Sequence, residues 1–275
     1  MTNPVTCRDI AASAGTLART PGNPSGNIGW VHDTNKAVAG QSTPGGQADS
    51  SQDDAATTFL FAVVLTLGTG ATDVTAFTRL GDVFASVMTG NLVVLGFAVE
   101  RLSAILAAHT AVAFAGYVAG AAVGTRLVPA GRLPRWRMHR AIPALLVELG
   151  LLAGFAVGWE LTGTRPHGAS QLTLLAVAAA AMGVQSAAAS GLSSQVSTTY
   201  LTGTLTTVIA ALVAPGSKRI LWREAAQILA LAGGAAAGGL VLAAAPVALP
   251  ALPMAAVVLV IGIIAALEPA GDRRQ

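Results

Sequence analysis

The densest group of polar residues in this chain lies between Gly70 and Asn91. Within it, Asp73 interrupts a long uncharged apolar segment, and an aspartate at the centre of a membrane helix costs about 2.5–3.5 kcal/mol. A carboxylate there is typical of a proton- or cation-binding group that faces a cavity. It is equally typical of a structural group that pairs with Arg79 or caps a short helix beginning near Gly81. Both interpretations stay open at the level of sequence.

A second focus is the triplet Thr89-Gly90-Asn91, which places a hydroxyl, a close-approach backbone position and an amide together. Such a set offers hydrogen-bond donors and acceptors to a neutral or ionic solute. The alternative is a helix break whose freed carbonyls are satisfied by the same side chains. The second half of the chain carries a related triplet, Thr202-Gly203-Thr204. This recurrence favours a binding site.

Other polar residues lie singly in apolar segments. Glu148 and His109 are candidates for a proton relay, since ionisable groups inside a membrane are functional by default, although a lone histidine is more commonly an interhelical contact. Gln185 and Gln227 are typical of residues that join helices. The first candidates for solute or ion binding are Asp73, Thr89, Gly90 and Asn91, followed by Arg79, Glu148, Gln185, Thr202, Gly203 and Thr204.

The residue patterns of catalysis are missing from the sequence. It contains no phosphate-binding glycine loop, no His-Glu-x-x-His pair and a single cysteine, Cys7. The histidines have no ligand spacing. We therefore expect no enzymatic activity, no resident metal and no cofactor.

Composition indicates an integral membrane protein. Only 11% of the residues are charged and 53% are hydrophobic, whereas soluble domains carry about 25% charge. The net charge is +3, but arginines cluster in short stretches between apolar runs, which argues against nucleic acid as a partner. Residues 1–54 are polar and of low complexity, and they predict a disordered tail without the apolar core of a signal peptide.

Eight apolar runs follow that tail, and most have the 17–25 residues needed to cross a bilayer. They lack the alternation of barrel strands, so the predicted fold is all-α, a polytopic transmembrane helical bundle. The runs are 57–77, 83–99, 103–125, 141–159, 171–191, 196–214, 225–247 and 251–267.

Positive charge distinguishes two topologies. Short cytoplasmic loops are rich in Lys and Arg, and the stretches 126–140 and 218–223 fit this rule. If all eight runs cross, these two stretches fall on opposite sides of the membrane. If runs 83–99 and 196–214 instead each enter and leave on one face, both stretches become cytoplasmic. We therefore predict six crossings plus two short or re-entrant segments within a domain over 55–268, and a short tail over 269–275. Both termini are then cytoplasmic, in a bacterial inner membrane; eight crossings are the alternative.

The chain also carries an internal repeat at an offset of 113 residues. This register superposes Gly70, Thr89 and Gly90 on Gly183, Thr202 and Gly203, and it puts Gly120 on Gly233. The halves span about 57–160 and 170–268. With three crossings in each half, the second copy is inverted, as in many transporters. Glycines at four-residue spacing predict close helix packing: Gly116, Gly120 and Gly124 in one half, Gly234 and Gly238 in the other.

The motif Gly70-Ala-Thr-Asp73, followed by Phe77, Gly81, Phe84 and Met88-Thr-Gly-Asn91, resembles the signature of the bacterial YoaK family. That family comprises multi-pass membrane proteins built on a domain of unknown function. The resemblance covers about residues 57–267. The chain departs from the family pattern in its long polar N-terminal tail. It implies a polytopic inner-membrane protein and no particular substrate.

The sequence as a whole predicts a transporter or channel for a small solute, an ion or protons. Its partners are then the lipid bilayer and that solute. Association into a homo-oligomer is a further alternative at the level of sequence. The alternative is a scaffold or sensor whose arginine-rich loop and tail recruit a protein or anionic lipid. Transport requires polar groups that converge on a cavity, whereas a scaffold requires only that they are paired.

Overall fold

A computed structural model describes residues 44–128, 135–192 and 218–267. All regular structure in these ranges is helical. Two short 3-10 turns, Arg135–Ala141 and Pro246–Ala248, lead into longer helices. The α-helices are α1 (Pro44–Arg79), α2 (Met88–Glu100), α3 (Ala104–Leu127), α4 (Ile142–Leu161), α5 (Ala169–Leu192), α6 (Lys218–Ala244) and α7 (Ala251–Ala266).

The predicted helical bundle is confirmed. Six helices in the described ranges are long and apolar enough to cross a membrane, and α2 is a shorter apolar helix. The first short run departs from its predicted bounds, because residues 80–87 form a loop and the helix begins only at Met88. The second short run, 196–214, lies outside the described residues.

The start of α1 also differs from the prediction. The helix begins at Pro44, inside the predicted tail. Proline is accommodated in the first helical turn, where its missing N–H would have no intrahelical partner. The residues up to 54 are polar, yet they continue the helix whose apolar part starts at Ala56.

Helices α1 and α5 form the centre of the bundle. Within an apolar window of 18 residues in each span, 67% and 61% of the residues of α1 and α5 are buried, against 22–33% for the other four spans. Helix α1 packs mainly on α6 and α7, while α5 packs mainly on α3 and α4. Helix α2 lies against α3. The two central helices are therefore each flanked by one pair of outer helices.

The closest backbone approaches in the bundle occur at glycines. A Cβ atom on Gly120 would overlap the carbonyl oxygen of Ala180 on α5, and one on Gly234 would overlap that of Leu67 on α1. A Cβ on Gly233 would meet only a leucine methyl, at 3.8 Å. The predicted close packing is thus present at Gly120 and Gly234, and Gly233 makes no such approach.

Candidate functional site

The loop between α1 and α2 lies alongside the apolar span of α1. Asp73 precedes the end of α1 by six residues, or about 9 Å at 1.5 Å per residue. Its carboxylate reaches the backbone of Ser86, so the chain turns back at Gly81 and descends beside the helix it has just left. Leu80, Val83 and Ala85 are fully buried in this descent. Irregular backbone at this depth needs hydrogen-bond partners inside the protein.

Asp73 supplies those partners for the lower part of the loop. Its Oδ1 atom accepts hydrogen bonds from the N–H groups of Ala85 and Ser86, at 2.9 and 2.8 Å. Its Oδ2 atom accepts one from the Ser86 hydroxyl at 2.5 Å, a distance typical of a hydroxyl bound to a carboxylate. Only 6% of the residue is exposed. The carboxylate therefore holds the loop, close to the capping role that its sequence position allowed.

Asn91 holds the same loop from α2. Its Oδ1 atom accepts from the N–H of Phe84 at 2.9 Å, and its Nδ2 atom donates to the carbonyl oxygen of Phe84 at 2.7 Å. The side chain is fully buried. This arrangement satisfies both backbone groups of one loop residue and requires an amide, since only an amide offers an acceptor and a donor side by side.

Replacing Asn91 by aspartate is expected to destabilise this loop. The carboxylate keeps the acceptor for Phe84 N–H but sets an oxygen against the Phe84 carbonyl oxygen, which loses its buried donor. The expected loss is about 1–3 kcal/mol of unfolding free energy. Thermal unfolding in detergent measures it. An unfolding midpoint equal to that of the unchanged protein would contradict the role assigned to the amide.

The remaining residues of the predicted site do not converge on Asp73. Thr89 is exposed and makes no hydrogen bond with any described residue, while Gly90 lies against the side chains of Val87 and Phe84. Arg79 forms no ion pair in the described ranges; its carbonyl oxygen instead accepts a hydrogen bond from Gln171. Pairing of Arg79 with Asp73, which the sequence left open, does not occur because the loop occupies the carboxylate.

His109 covers the upper part of the loop from α3. A Cβ atom on Gly81 would overlap the imidazole ring, and Gly81 has a φ of 109°, so glycine is required for two independent reasons. The Nδ1 atom of His109 lies 2.7 Å from the Ile105 carbonyl oxygen. Its Nε2 atom is buried without a partner in the described residues. The histidine therefore bonds its own helix and packs on the loop, and no hydrogen bond from it to another helix occurs among the described residues.

A row of threonines runs along α1 and joins it to α5. Each hydroxyl donates to the carbonyl oxygen four residues earlier, which satisfies the donor inside the helix. Gln185 of α5 donates to the Thr69 hydroxyl oxygen at 2.8 Å and to the Leu65 carbonyl oxygen at 3.2 Å. It therefore joins the two central helices, as glutamines were expected to do. The threonines of this row are Thr66, Thr69, Thr72, Thr75 and Thr78.

A small cavity lies between α1, α4 and the start of α7. Its volume is about 10 Å³, room for roughly one water molecule. Thr72 and Thr75 supply its polar lining, and Leu152 and Phe155 of α4 form the facing wall. Trp159, one turn beyond Phe155, donates its indole N–H to the Pro246 carbonyl oxygen at 2.8 Å and ties α4 to the segment leading into α7.

Glu148 stands apart from all of these contacts. It lies ten residues after the start and thirteen before the end of the span Met138–Leu161, and its side chain is fully buried. Neither carboxyl oxygen has a hydrogen-bond partner within the described part of the chain. Asp73 and Glu148 are thus opposite cases, one carboxyl fully paired and the other unpaired.

Three predicted binding residues, Thr202, Gly203 and Thr204, lie outside the described residues. Sequence reasoning missed Ser86, whose backbone N–H and hydroxyl bind Asp73. It named Phe84 in the motif but did not predict that the backbone of Phe84 bonds Asn91. The signal for Ser86 is only its nearness to the Met88-Thr-Gly-Asn91 motif. No group of three His, Cys, Asp or Glu side chains able to hold a metal occurs in the described ranges.

Comparison with known proteins agrees with the resemblance found in the loop motif. The sequence matches the family described as "Protein of unknown function (DUF1275)" over residues 61–265. It is similar to the UPF0700 transmembrane protein YoaK of Bacillus subtilis (strain 168), at 30% identity over 148 residues. That alignment covers 53% of this chain and 63%, less than two thirds, of the relative. No solved structure matches the chain at a significant level.

Proposed function

The chain belongs to the DUF1275 family, and from that premise and the geometry above we propose that this multi-pass membrane protein moves a small polar solute or an ion across the bilayer. The observation that carries the proposal is the loop 80–87, irregular backbone beside a membrane span with buried polar side chains holding it. Backbone of this kind occurs at membrane depth where it is enclosed by protein or lines a water-filled path. Transporters form their binding sites from such interrupted helices.

Thr89 is the residue of this loop region that we assign to the solute. It lies in the first turn of α2, whose N-terminus has no side-chain cap. The hydroxyl is exposed and unbonded among the described residues, although most threonines of α1 bond their own helix. A polar solute at this position would meet a free hydroxyl and the first N–H groups of a helix.

Paired helix contacts support two related halves. Gly120 packs on Ala180 as Gly234 packs on Leu67, and Ala180 is 113 residues after Leu67. One turn further along, Gly124 packs on Val184 as Gly238 packs on Ala71, again 113 residues apart. We propose that the halves, about 57–160 and 170–268, are an inverted repeat about an axis between α1 and α5. Thr202-Gly203-Thr204 would then be the counterpart in sequence of Thr89-Gly90-Asn91.

The same arrangement fits six crossings with cytoplasmic termini in the plasma membrane. The chain leaves α1 and enters α3 on one face, because α2 has only 13 residues, about 20 Å. The arginine-rich stretch 126–140 and the start of α6 then share the opposite face, as the positive-inside rule requires for the cytoplasm.

The test uses the full chain purified and reconstituted in proteoliposomes. A panel of amino acids, polyols, nucleobases, organic acids and monovalent salts is screened by thermal unfolding, and each stabilising solute is then measured as radiolabelled flux. We expect Thr89→Val to raise the half-saturating concentration roughly two- to tenfold, the equivalent of one hydrogen bond. Thr173→Val is the matched control, an exposed hydroxyl already bonded to Ala169. Failure of every solute to move would contradict transport.

One observation favours a second candidate, a scaffold or sensor. Asp73 and Asn91 pair off with the loop, and the cavity found in the bundle holds only about one water molecule. Paired polar groups are all that a scaffold needs. If the reconstituted protein moves no solute but binds vesicles of anionic lipid through its basic stretches, this second function takes the place of the first.

A further inference from the structure

Glu148 is a buried carboxyl without a hydrogen-bond partner among the described residues. Its side chain lies on the inward face of α4 with Leu145 and Leu152, both at most 1% exposed. Both of its oxygens are buried and unbonded within the described residues. Proteins bury a carboxyl in this way at large cost unless it is neutral or meets a cation. An ionisable group in this position inside a membrane is a functional site by default.

The helices around Glu148 offer no opposite charge. Helices α5 and α7, which pack on α4, carry no ionisable side chain over the described residues 169–190 and 251–266. Helix α3 contributes His109, Tyr117 and Arg126, and none of them bonds Glu148. The turn before α4 contributes His139 and Arg140, which lie more than two helical turns from Glu148 along the chain. A proton is therefore the ligand that this setting accommodates.

The cavity at the top of α4 gives that proton a route. Leu152 lines the cavity and lies one helical turn from Glu148 on the same buried face. Thr72 and Thr75 of α1 line the opposite side. The cavity has room for about one water molecule, and a rotation of Leu152 would open it toward the carboxyl.

We propose that Glu148 is a proton-binding site, loaded and unloaded through the cavity lined by Thr72 and Thr75. The carboxyl holds its proton in the closed arrangement seen here and releases it when water reaches it past Leu152. The proton site stands independently of the transport proposal. Only the coupling of this proton to solute movement rests on that proposed function.

Carbodiimide labelling of the full chain in proteoliposomes tests the site directly. Dicyclohexylcarbodiimide dissolves in the membrane and adds to protonated carboxyls, while a water-soluble carbodiimide reaches only solvated ones. Peptide mass spectrometry should find Glu148 labelled by the first reagent and not the second. Labelling should fall about tenfold per pH unit once the carboxyl ionises. Glu160, exposed near the end of the same helix, is the matched control and should show the opposite preference.

The outcomes separate the two proposals. Loss of proton flux, read with an entrapped pH dye under a potassium diffusion potential, in Glu148→Gln but not in Glu160→Gln supports both. Labelling of Glu148 without any proton or solute flux supports the proton site and contradicts transport. Labelling of Glu148 by the water-soluble reagent as readily as Glu160, or no labelling at any pH, overturns the proton site. The labelling needs no variant, so a misfolded Glu148→Gln does not affect it.

Discussion

Alanine at Gly120 is expected to lower the unfolding temperature of the protein far more than alanine at Gly154, and alanine at Gly234 is expected to act like alanine at Gly120. A methyl group at Gly120 would overlap the Ala180 carbonyl oxygen, and one at Gly234 would overlap that of Leu67. These obstacles are backbone atoms of the central helices, which cannot rotate away as side chains do. The helices must separate instead.

The cost of that separation is about 1–3 kcal/mol or more for each substitution, the range typical of overpacking. Gly154 is the control because nothing lies within 4 Å of its Cβ position. Alanine at Gly154 favours the helix more than glycine does, which raises the free energy of unfolding by up to about 1 kcal/mol. Unfolding in detergent, followed by tryptophan fluorescence and by size-exclusion chromatography, measures all three variants. Equal midpoints for Gly120→Ala and Gly154→Ala would show that the crossing is looser than described.

The same pair of variants bears on the proposed repeat. If the two halves are related, Gly120→Ala and Gly234→Ala disturb equivalent crossings and lower the midpoint by similar amounts. A large effect at one glycine and none at the other would leave the close packing in place at one crossing only and would count against the inverted repeat.

The sequence predicts the membrane spans and the small-residue contacts because each depends on local composition. A span must be uniformly apolar over its length, and a close crossing needs glycine or alanine at four-residue spacing. The proposed repeat register pairs Gly120 with Gly233, whereas the contact that resembles the one at Gly120 is made by Gly234, against Leu67. Identity at one glycine cannot fix a register in a segment where glycines are adjacent; the contact with Leu67 does.

The candidate site was harder to predict, since its bonds join residues that meet only after the chain reverses. Asp73 reaches Ser86 because Gly81 and Asp82 adopt positive φ angles, 109° and 58°. No periodicity encodes that turn. The sequence marks both Asp73 and Glu148 as carboxyls in apolar segments. It cannot tell that the first accepts bonds from three donors and that the second accepts none from the part of the chain that the structure describes.

This difference changes the roles assigned to the two carboxyls. Before the fold is known, Asp73 is the stronger binding candidate because it belongs to a polar motif. In the structure the polar side chains of the motif hydrogen-bond the loop within the motif itself. Asp73 binds this loop from α1, and Asn91 binds it from α2. Glu148, which has no motif around it, keeps its full capacity to bind. A dense polar motif in a membrane protein can thus be the support of a site whose reactive group lies elsewhere.

Asp73→Ala is therefore expected to release the loop 80–87, while Asp73→Asn disturbs it much less. Alanine strands the N–H groups of Ala85 and Ser86, which are buried and donate to no other described group, at about 1–3 kcal/mol for each. Asparagine keeps an acceptor oxygen for both N–H groups and turns an amide donor toward the Ser86 hydroxyl oxygen. It loses only the acceptor of the Ser86 O–H and the extra strength of bonds to a charged acceptor.

Hydrogen–deuterium exchange of residues 84–91, together with thermal unfolding, distinguishes the two roles of Asp73. Asp82→Asn is the matched control, since this carboxyl is exposed in the same loop and asparagine tolerates its positive φ. If Asp73 only holds the loop, amide exchange should be fast in Asp73→Ala, intermediate in Asp73→Asn and unchanged in Asp82→Asn. If Asp73→Asn instead exchanges normally but loses all flux in proteoliposomes, Asp73 binds the transported ion or solute itself, and the loop opens during transport to let it do so.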